Sequence, residues 1–158
     1  MRFKRILSQE VRLTVFDLNE LSEPLKYLCE KAKNMAFQAY SVYSNFRVGA
    51  AVLLEDGQII GGNNQENVAF PSGLCAERTA LFYAHAQFPD KKIKAIAIYS
   101  PDAKNLLTPC GACRQVMLEY ESIQGDSIQT FIVTNEEVYV MDSVKDWLPF
   151  EFSADLRR

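Results

Sequence analysis

A single histidine, His85, and four cysteines are all that 158 residues offer of the two residue types that most often bind transition metals. One histidine excludes a three-histidine metal centre and leaves little for histidine-based nucleophilic catalysis. No apolar run approaches the roughly 18 residues needed to cross a bilayer, so no membrane partner is expected. Clustered basic residues are also missing. The 17 Lys and Arg are outnumbered by 20 Asp and Glu, and the net charge of −3 gives no electrostatic footprint for a nucleic acid. Repeats, low-complexity tracts and linker-like stretches are absent too, which predicts one domain over residues 1–158. A small molecule is the expected partner, and the cytoplasm the default location.

What is present is an ordinary globular composition, 48 % apolar, enough for a core without disulfide staples. The opening "MRFKRILSQEVRLTVFDLNE" is basic like a signal peptide. Gln9, Glu10 and Arg12 break its hydrophobic segment, however, and no small-residue cleavage site follows. Residues 1–20 are therefore read as a possible extra strand or arm, centred on Val11–Phe16. Leu25, Leu28, Cys29, Ala32, Met35, Ala36 and Ala39 fall on one helical face, with Ser22 placed to cap it and Pro24 in its first turn. "VGAAVLL" and "QIIGGN" are strand-like runs joined by Glu55-Asp56-Gly57, a hairpin signal. A helix from Cys75 to about Phe88 precedes the apolar strand Ile93–Ser100. After Pro109 comes a helix from Cys110 to about Glu121, then the strands "IQTFIVT" and "VYVMD". This order predicts an α/β fold, a three-layer α-β-α sandwich around a mixed sheet of about five strands.

Three of the four cysteines, Cys75, Cys110 and Cys113, stand at expected helix starts. There, unpaired N–H groups and the helix dipole favour a thiolate. In Cys110-x-x-Cys113 both sulfurs lie on one helical face. Three thiolates from two helix N-termini can surround a tetrahedral ion and leave its fourth position open, as a catalytic zinc requires. A lone Cys-x-x-Cys also suits a redox dithiol or half of a structural zinc site. The redox reading leaves Cys75 and Glu77 unexplained. The structural reading lacks a fourth ligand, because Cys29 sits on the apolar face of the first helix, where a buried cysteine is ordinary packing. His85, ten residues or about 15 Å along the helix from Cys75, cannot share its metal. Glu77, two residues after Cys75, is placed to carry protons beside a metal without binding it. Zinc deaminases combine these parts.

"CAERTALF" (Cys75–Phe82) and "PCGACRQV" (Pro109–Val116) resemble the signature of cytidine deaminases. So do "YSNFRVGAAV" (Tyr43–Val52) and "NQENVAF" (Asn64–Phe70), and the similarity runs from about Leu25 to Phe152 in the family's order. The resemblance implies Zn2+ held by Cys75, Cys110 and Cys113, with Glu77 as the general acid/base. It implies substrate contacts from Phe46 beside the base, from Asn64 and Glu66 at the sugar hydroxyls, and from the backbone at Ala76 and Cys110. Phe152 would reach a neighbouring subunit's pocket in a homotetramer with active sites at subunit interfaces. Arg78 would hydrogen-bond the ligand sulfurs and offset the net charge of three thiolates on a dication. The implied reaction is hydrolytic deamination of cytidine and 2'-deoxycytidine to the uridine nucleosides, in pyrimidine salvage. A carboxylate at Glu66 is a poor neighbour for a phosphate, which favours a nucleoside over a nucleotide. Phe70 departs from the family pattern, standing where many members carry tyrosine. A related enzyme acting on a nucleoside-like antibiotic or a modified base and a non-catalytic zinc-binding or interaction module are the rival readings.

Overall fold

The computed structural model describes residues 4–152. Its frame is a six-stranded sheet in the order β1-β6-β5-β4-β2-β3, from β1 (Thr14–Asp17), β2 (Gly49–Leu54), β3 (Ile59–Asn63), β4 (Ile93–Tyr99), β5 (Gln129–Val133) and β6 (Glu137–Met141). Three helices cover it: α1 (Glu23–Ala36), α2 (Ala76–Gln87) and α3 (Gly111–Gln124). The sixth strand is the N-terminal arm. It begins at Thr14, three residues after Val11, and pairs antiparallel with β6, Thr14 opposite Val140 through Asp17 opposite Glu137. Only β4 and β5 run parallel, and α3 makes the crossover between them.

Alternation along the strands sorts the core into two layers. Ala50, Val52, Leu54, Ile96, Ile98 and Ile132 point to the side packed by α2 and α3. Ala51, Ala95, Ala97, Phe131 and Val133 point to the other side, where α1 contributes Leu28, Cys29, Ala32 and Ala36. Burial on both faces explains why β4 reads as an unbroken apolar run. Full burial of Leu28 alone is worth about 1.5–3 kcal/mol. Cys29 is part of this packing, and burial pushes its thiol up to about 12. Gly49 lets α1 approach β2: a Cβ there would meet the Ala32 carbonyl oxygen at 2.1 Å.

Two expectations about α1 need correction. Ser22 occupies the N-cap position, but its side chain makes no capping hydrogen bond. Its carbonyl accepts instead from Leu25 and Lys26 at 3.0 and 2.9 Å. The helix also stops at Ala36, since the chain then turns to bring Tyr40 beside Gln65. At the far end of α3, Glu121 is 4 % exposed. Its carboxylate accepts from Ile128 N at 2.7 Å, Val144 N at 2.9 Å and Ser143 Oγ at 2.6 Å, tying α3 to the start of β5 and the turn after β6.

Candidate metal centre and active site

Cys75 and Cys110 are the N-cap residues of α2 and α3, each in extended conformation, and neither spends its side chain on the cap. Both sulfurs are therefore free to turn toward the space between the helix ends. Cys113, in the first turn of α3, faces the same space. The three sulfurs lie within 4.8 Å of one another, and those of Cys75 and Cys110 are 3.8 Å apart. Two tetrahedral ligands at about 2.3 Å from a zinc ion stand roughly 3.8 Å apart, so the donor set and its spacing fit zinc. Among the described residues the cluster stops at three. The cysteines are all free, and Cys113 is buried while Cys110 is exposed. The thiols share protons unequally. Hydrogen bonding from Cys113 first, then from Arg78 and Cys110, holds Cys75 down at about 5, while Cys113 is pushed up by the same shared proton and by burial.

Glu77 projects from the first turn of α2 into this region and is 4 % exposed. Burial raises its carboxyl above the usual range. Ala76, which opens α2, is fully buried. Arg78 donates from Nη2 to Cys75 Sγ at 3.7 Å. Its Nε is buried with no partner among the described residues. His85 is exposed on α2, its ring 5.2 Å from that of Tyr120.

Phe46, Asn64 and Glu66 meet at a second cluster. Asn64 Oδ1 accepts from Val48 N at 2.8 Å, and its Nδ2 donates to the Phe46 carbonyl at 2.9 Å. Glu66 accepts from Tyr43 N at 2.8 Å, from Ser44 N at 3.2 Å and from the Ser44 hydroxyl. These donors, Ser44 Oγ first, lower the Glu66 carboxyl and keep it ionised. The cluster is registered to the metal ligands by a small ladder. Gln65 and Leu74 exchange N–H···O bonds at 2.9 Å each, one residue before Cys75, while Tyr40 N donates to Asn64 O and Glu66 N to Tyr40 O. Sequence reasoning missed this ladder, because its three strands are single residues with no alternation to read.

Phe70 lies exposed at the mouth, edge-on to Tyr43 at 5.8 Å, and with Glu66, Asn67 and Gly73 these rings line a cavity of about 250 Å³. Phe152 is 82 % exposed, and its carbonyl accepts from Gln115 Nε2 of α3 at 3.0 Å. Arg114, next to Cys113, donates to Pro109 O at 2.7 Å, Thr108 Oγ1 at 3.0 Å and Trp147 O at 3.1 Å. It thus braces the approach to Cys110 against the C-terminal turn.

The comparisons with known proteins agree with this geometry. Residues 22–125 match the profile of the cytidine and deoxycytidylate deaminase zinc-binding region. A cytidine deaminase of Halalkalibacterium halodurans is 51 % identical over 81 residues, 51 % of this chain and 60 % of that protein. One from Sporosarcina psychrophila is 46 % identical over 93 residues, 59 % of this chain and 67 % of that protein. The aligned regions thus span about three fifths to two thirds of these relatives' own length. Among solved structures, the cytidine deaminase of Burkholderia pseudomallei superposes with a TM-score of 0.72 at 37 % identity, covering 84 % of this chain and all of that one. That of Mycobacterium tuberculosis gives 0.66 at 33 % identity over 82 % and 98 %. With both helix N-termini, the three thiols and Glu77 inside the matched region, the chain belongs to the cytidine and deoxycytidylate deaminase family.

Proposed function

We propose that this protein is a zinc-dependent nucleoside deaminase converting cytidine and 2'-deoxycytidine, with water, to uridine or 2'-deoxyuridine and ammonia. The observation that carries the reading is the convergence of three sulfurs at tetrahedral spacing on two helix N-termini, with Glu77 one helical step away. Cys75, Cys110 and Cys113 would hold the ion. A zinc ion there supplies the Lewis acidity that makes a water molecule acidic near neutrality. Glu77 would accept a proton from the attacking water and deliver it to N3 of the base, so that the oxygen can bond to C4. The remaining water proton then passes to the amino group as the C4–N4 bond breaks, and ammonia leaves. Backbone groups at Ala76 and Cys110 orient the base, Phe46 packs beside it, and Asn64 and Glu66 bind the sugar hydroxyls, the ionised Glu66 as an acceptor. Arg78, bonded to Cys75 Sγ, draws charge from the ligands. The ionised Glu66 favours a nucleoside over a nucleotide, since a 5'- or 3'-phosphate near it would be repelled.

No described helix is long and apolar enough to cross a membrane. Four free thiols suit a reducing compartment, and we place the enzyme in the cytoplasm, in pyrimidine salvage. The exposed Phe152, beside α3, supports a homotetramer in which it enters a neighbour's pocket. The decisive experiment pairs metal content with turnover of cytidine, deoxycytidine and dCMP, followed by the fall of cytidine absorbance. One zinc per chain with nucleosides consumed and dCMP inert is expected. Zinc-replete protein that consumes none of them makes the fold a non-catalytic zinc module.

A further inference from the structure

Two backbone bonds, Asn45 N to Ser41 O and Asn64 N to Val48 O, help shape the segment Tyr43–Val48, and three carboxylate or amide side chains hold most of its other backbone groups. Glu66 takes Tyr43 N, Ser44 N and the Ser44 hydroxyl, which itself accepts from Phe46 N at 3.0 Å. Asn64 takes Phe46 O and Val48 N. The third brace comes from elsewhere in the fold. Asp102, in the loop after β4, accepts from Arg47 N at 2.9 Å and, in a two-pronged ion pair, from Arg47 Nε at 2.9 Å and Nη2 at 2.7 Å. Asp102 is itself anchored, its N–H donating to the largely buried Ser100 Oγ at 3.1 Å. The other face of the Arg47 guanidinium lies 5.5 Å from the Phe37 ring at the end of α1. Asn45, in the middle of the segment, has φ +55°, in the left-handed region. Such a backbone persists only where its surroundings hold it.

We infer that Arg47 and Asp102 are positioning residues for the nucleoside: their ion pair locks the segment that carries Phe46 to the strand end leading toward Cys110. The inference rests on the reading of Phe46 as the aromatic beside the base. Asp102 lies in the loop that begins after β4 ends at Tyr99, and the same loop runs on to Pro109 and Cys110. A base held between Phe46 and the metal therefore has both of its walls referred to one loop. A planar fork meeting a carboxylate at two points fixes orientation as well as distance, which a lysine at this place would not do. The Arg47 pair holds Asp102 down to about 2, so the lock stays charged across any working pH. Neither residue is placed to touch the reacting atoms.

The test compares Phe46→Ala, Asp102→Ala, Arg47→Lys and the double variant Arg47→Ala/Asp102→Ala in zinc-loaded protein. KM for cytidine, kcat, zinc content and the inhibition constant of the product uridine are measured for each. Asp102→Ala is expected to raise KM and the uridine constant together by about tenfold, with kcat within about twofold and one zinc retained. Arg47→Lys, which keeps the charge and loses the fork, should fall between wild type and Asp102→Ala, and the double variant should be no worse than Asp102→Ala. A purely structural role would lower the yield of folded enzyme and leave KM where it was. If Phe46→Ala raises KM while Asp102→Ala and Arg47→Lys do not, the lock is overturned and the Phe46 reading survives. If Phe46→Ala also leaves KM unchanged, the reading of Phe46 fails and the lock falls with it.

Discussion

From Cys75 to Arg78 four consecutive residues supply a sulfur, a buried helix start, a buried carboxylate and a guanidinium, all within one opening turn of α2. From Tyr43 to Val48 no regular element exists, and besides short-range bonds to Ser41 and Ser44 the shape depends on side-chain partners 16 to 55 residues away along the chain. The metal pocket is thus organised by helix geometry, which local spacing dictates. The nucleoside rim is organised by side chains reaching across the fold to backbone N–H and carbonyl groups. A helix N-terminus positions its groups at almost no cost in side-chain freedom. A loop braced by polar side chains depends on each brace, and loses shape stepwise as they are removed. Variants at the pocket should accordingly act on the chemical step and variants at the rim on binding.

Glu77→Gln gives the largest effect. The amide keeps the shape and cannot carry a proton, so kcat should fall by about 10³-fold or more while zinc content, KM and thermal stability stay close to wild type. A Glu77→Gln enzyme with wild-type kcat would remove this residue from the chemistry and with it the claim that the pocket is the catalytic half. Arg78→Gln should come next. Losing the donor to Cys75 Sγ is expected to lower kcat or zinc retention by about 10- to 100-fold, as loss of a hydrogen bond to a metal ligand commonly does. Metal release followed with a chromogenic chelator separates the two. Unchanged release and unchanged turnover would mean that the helix N-termini alone balance the thiolates.

Glu66→Gln sharpens the comparison from the rim side. The neutral amide has one acceptor oxygen in place of two, so it cannot accept from both the backbone N–H groups of Tyr43 and Ser44 and the Ser44 hydroxyl. KM for cytidine should rise about tenfold with kcat changed far less, and a 3'-deoxy substrate should lose most of its disadvantage relative to cytidine. An effect confined to kcat would erase the distinction between the two regions.

The same division decides what could be read from the sequence. Cys75, Glu77 and Arg78 stand at i, i+2 and i+3, and Cys110 and Cys113 at i and i+3. Fixed helical geometry converts such spacings into neighbours. The sheet core is readable for a similar reason, since the nearly continuous apolar runs of β2 and β4 report burial on both faces directly. The stretch Val11–Phe16 reads as a possible extra strand or arm, but its pairing with β6 and its start at Thr14 depend on register against Val138 and Val140. Glu121 gave no signal, since nothing local marks a surface-type residue at a helix end as the acceptor for Ile128, Ser143 and Val144. Arg47 with Asp102, and Ser44 with Glu66, are equally silent, being unremarkable loop residues until the fold sets them side by side.

The smallest expected effect concerns acid. Asp102 is held at about 2 by the Arg47 hydrogen bonds and charge, below an ordinary value of 3.8. A carboxyl depressed in the folded state contributes stability that is fully present above its ordinary value and is lost as pH falls through the folded one. Wild type should therefore outlast Asp102→Asn in denaturant at pH 5 to 7, and the gap should close between about pH 4 and pH 2. Asp56, Glu66 and Asp126 are depressed as well, and metal loss in acid destabilises both proteins. These contributions are common to the pair and cancel in the difference, which isolates Asp102. A gap that is constant from pH 7 to pH 2 would show that the lock at the rim works through hydrogen bonds indifferent to charge, and would make the two regions more alike than their geometry indicates.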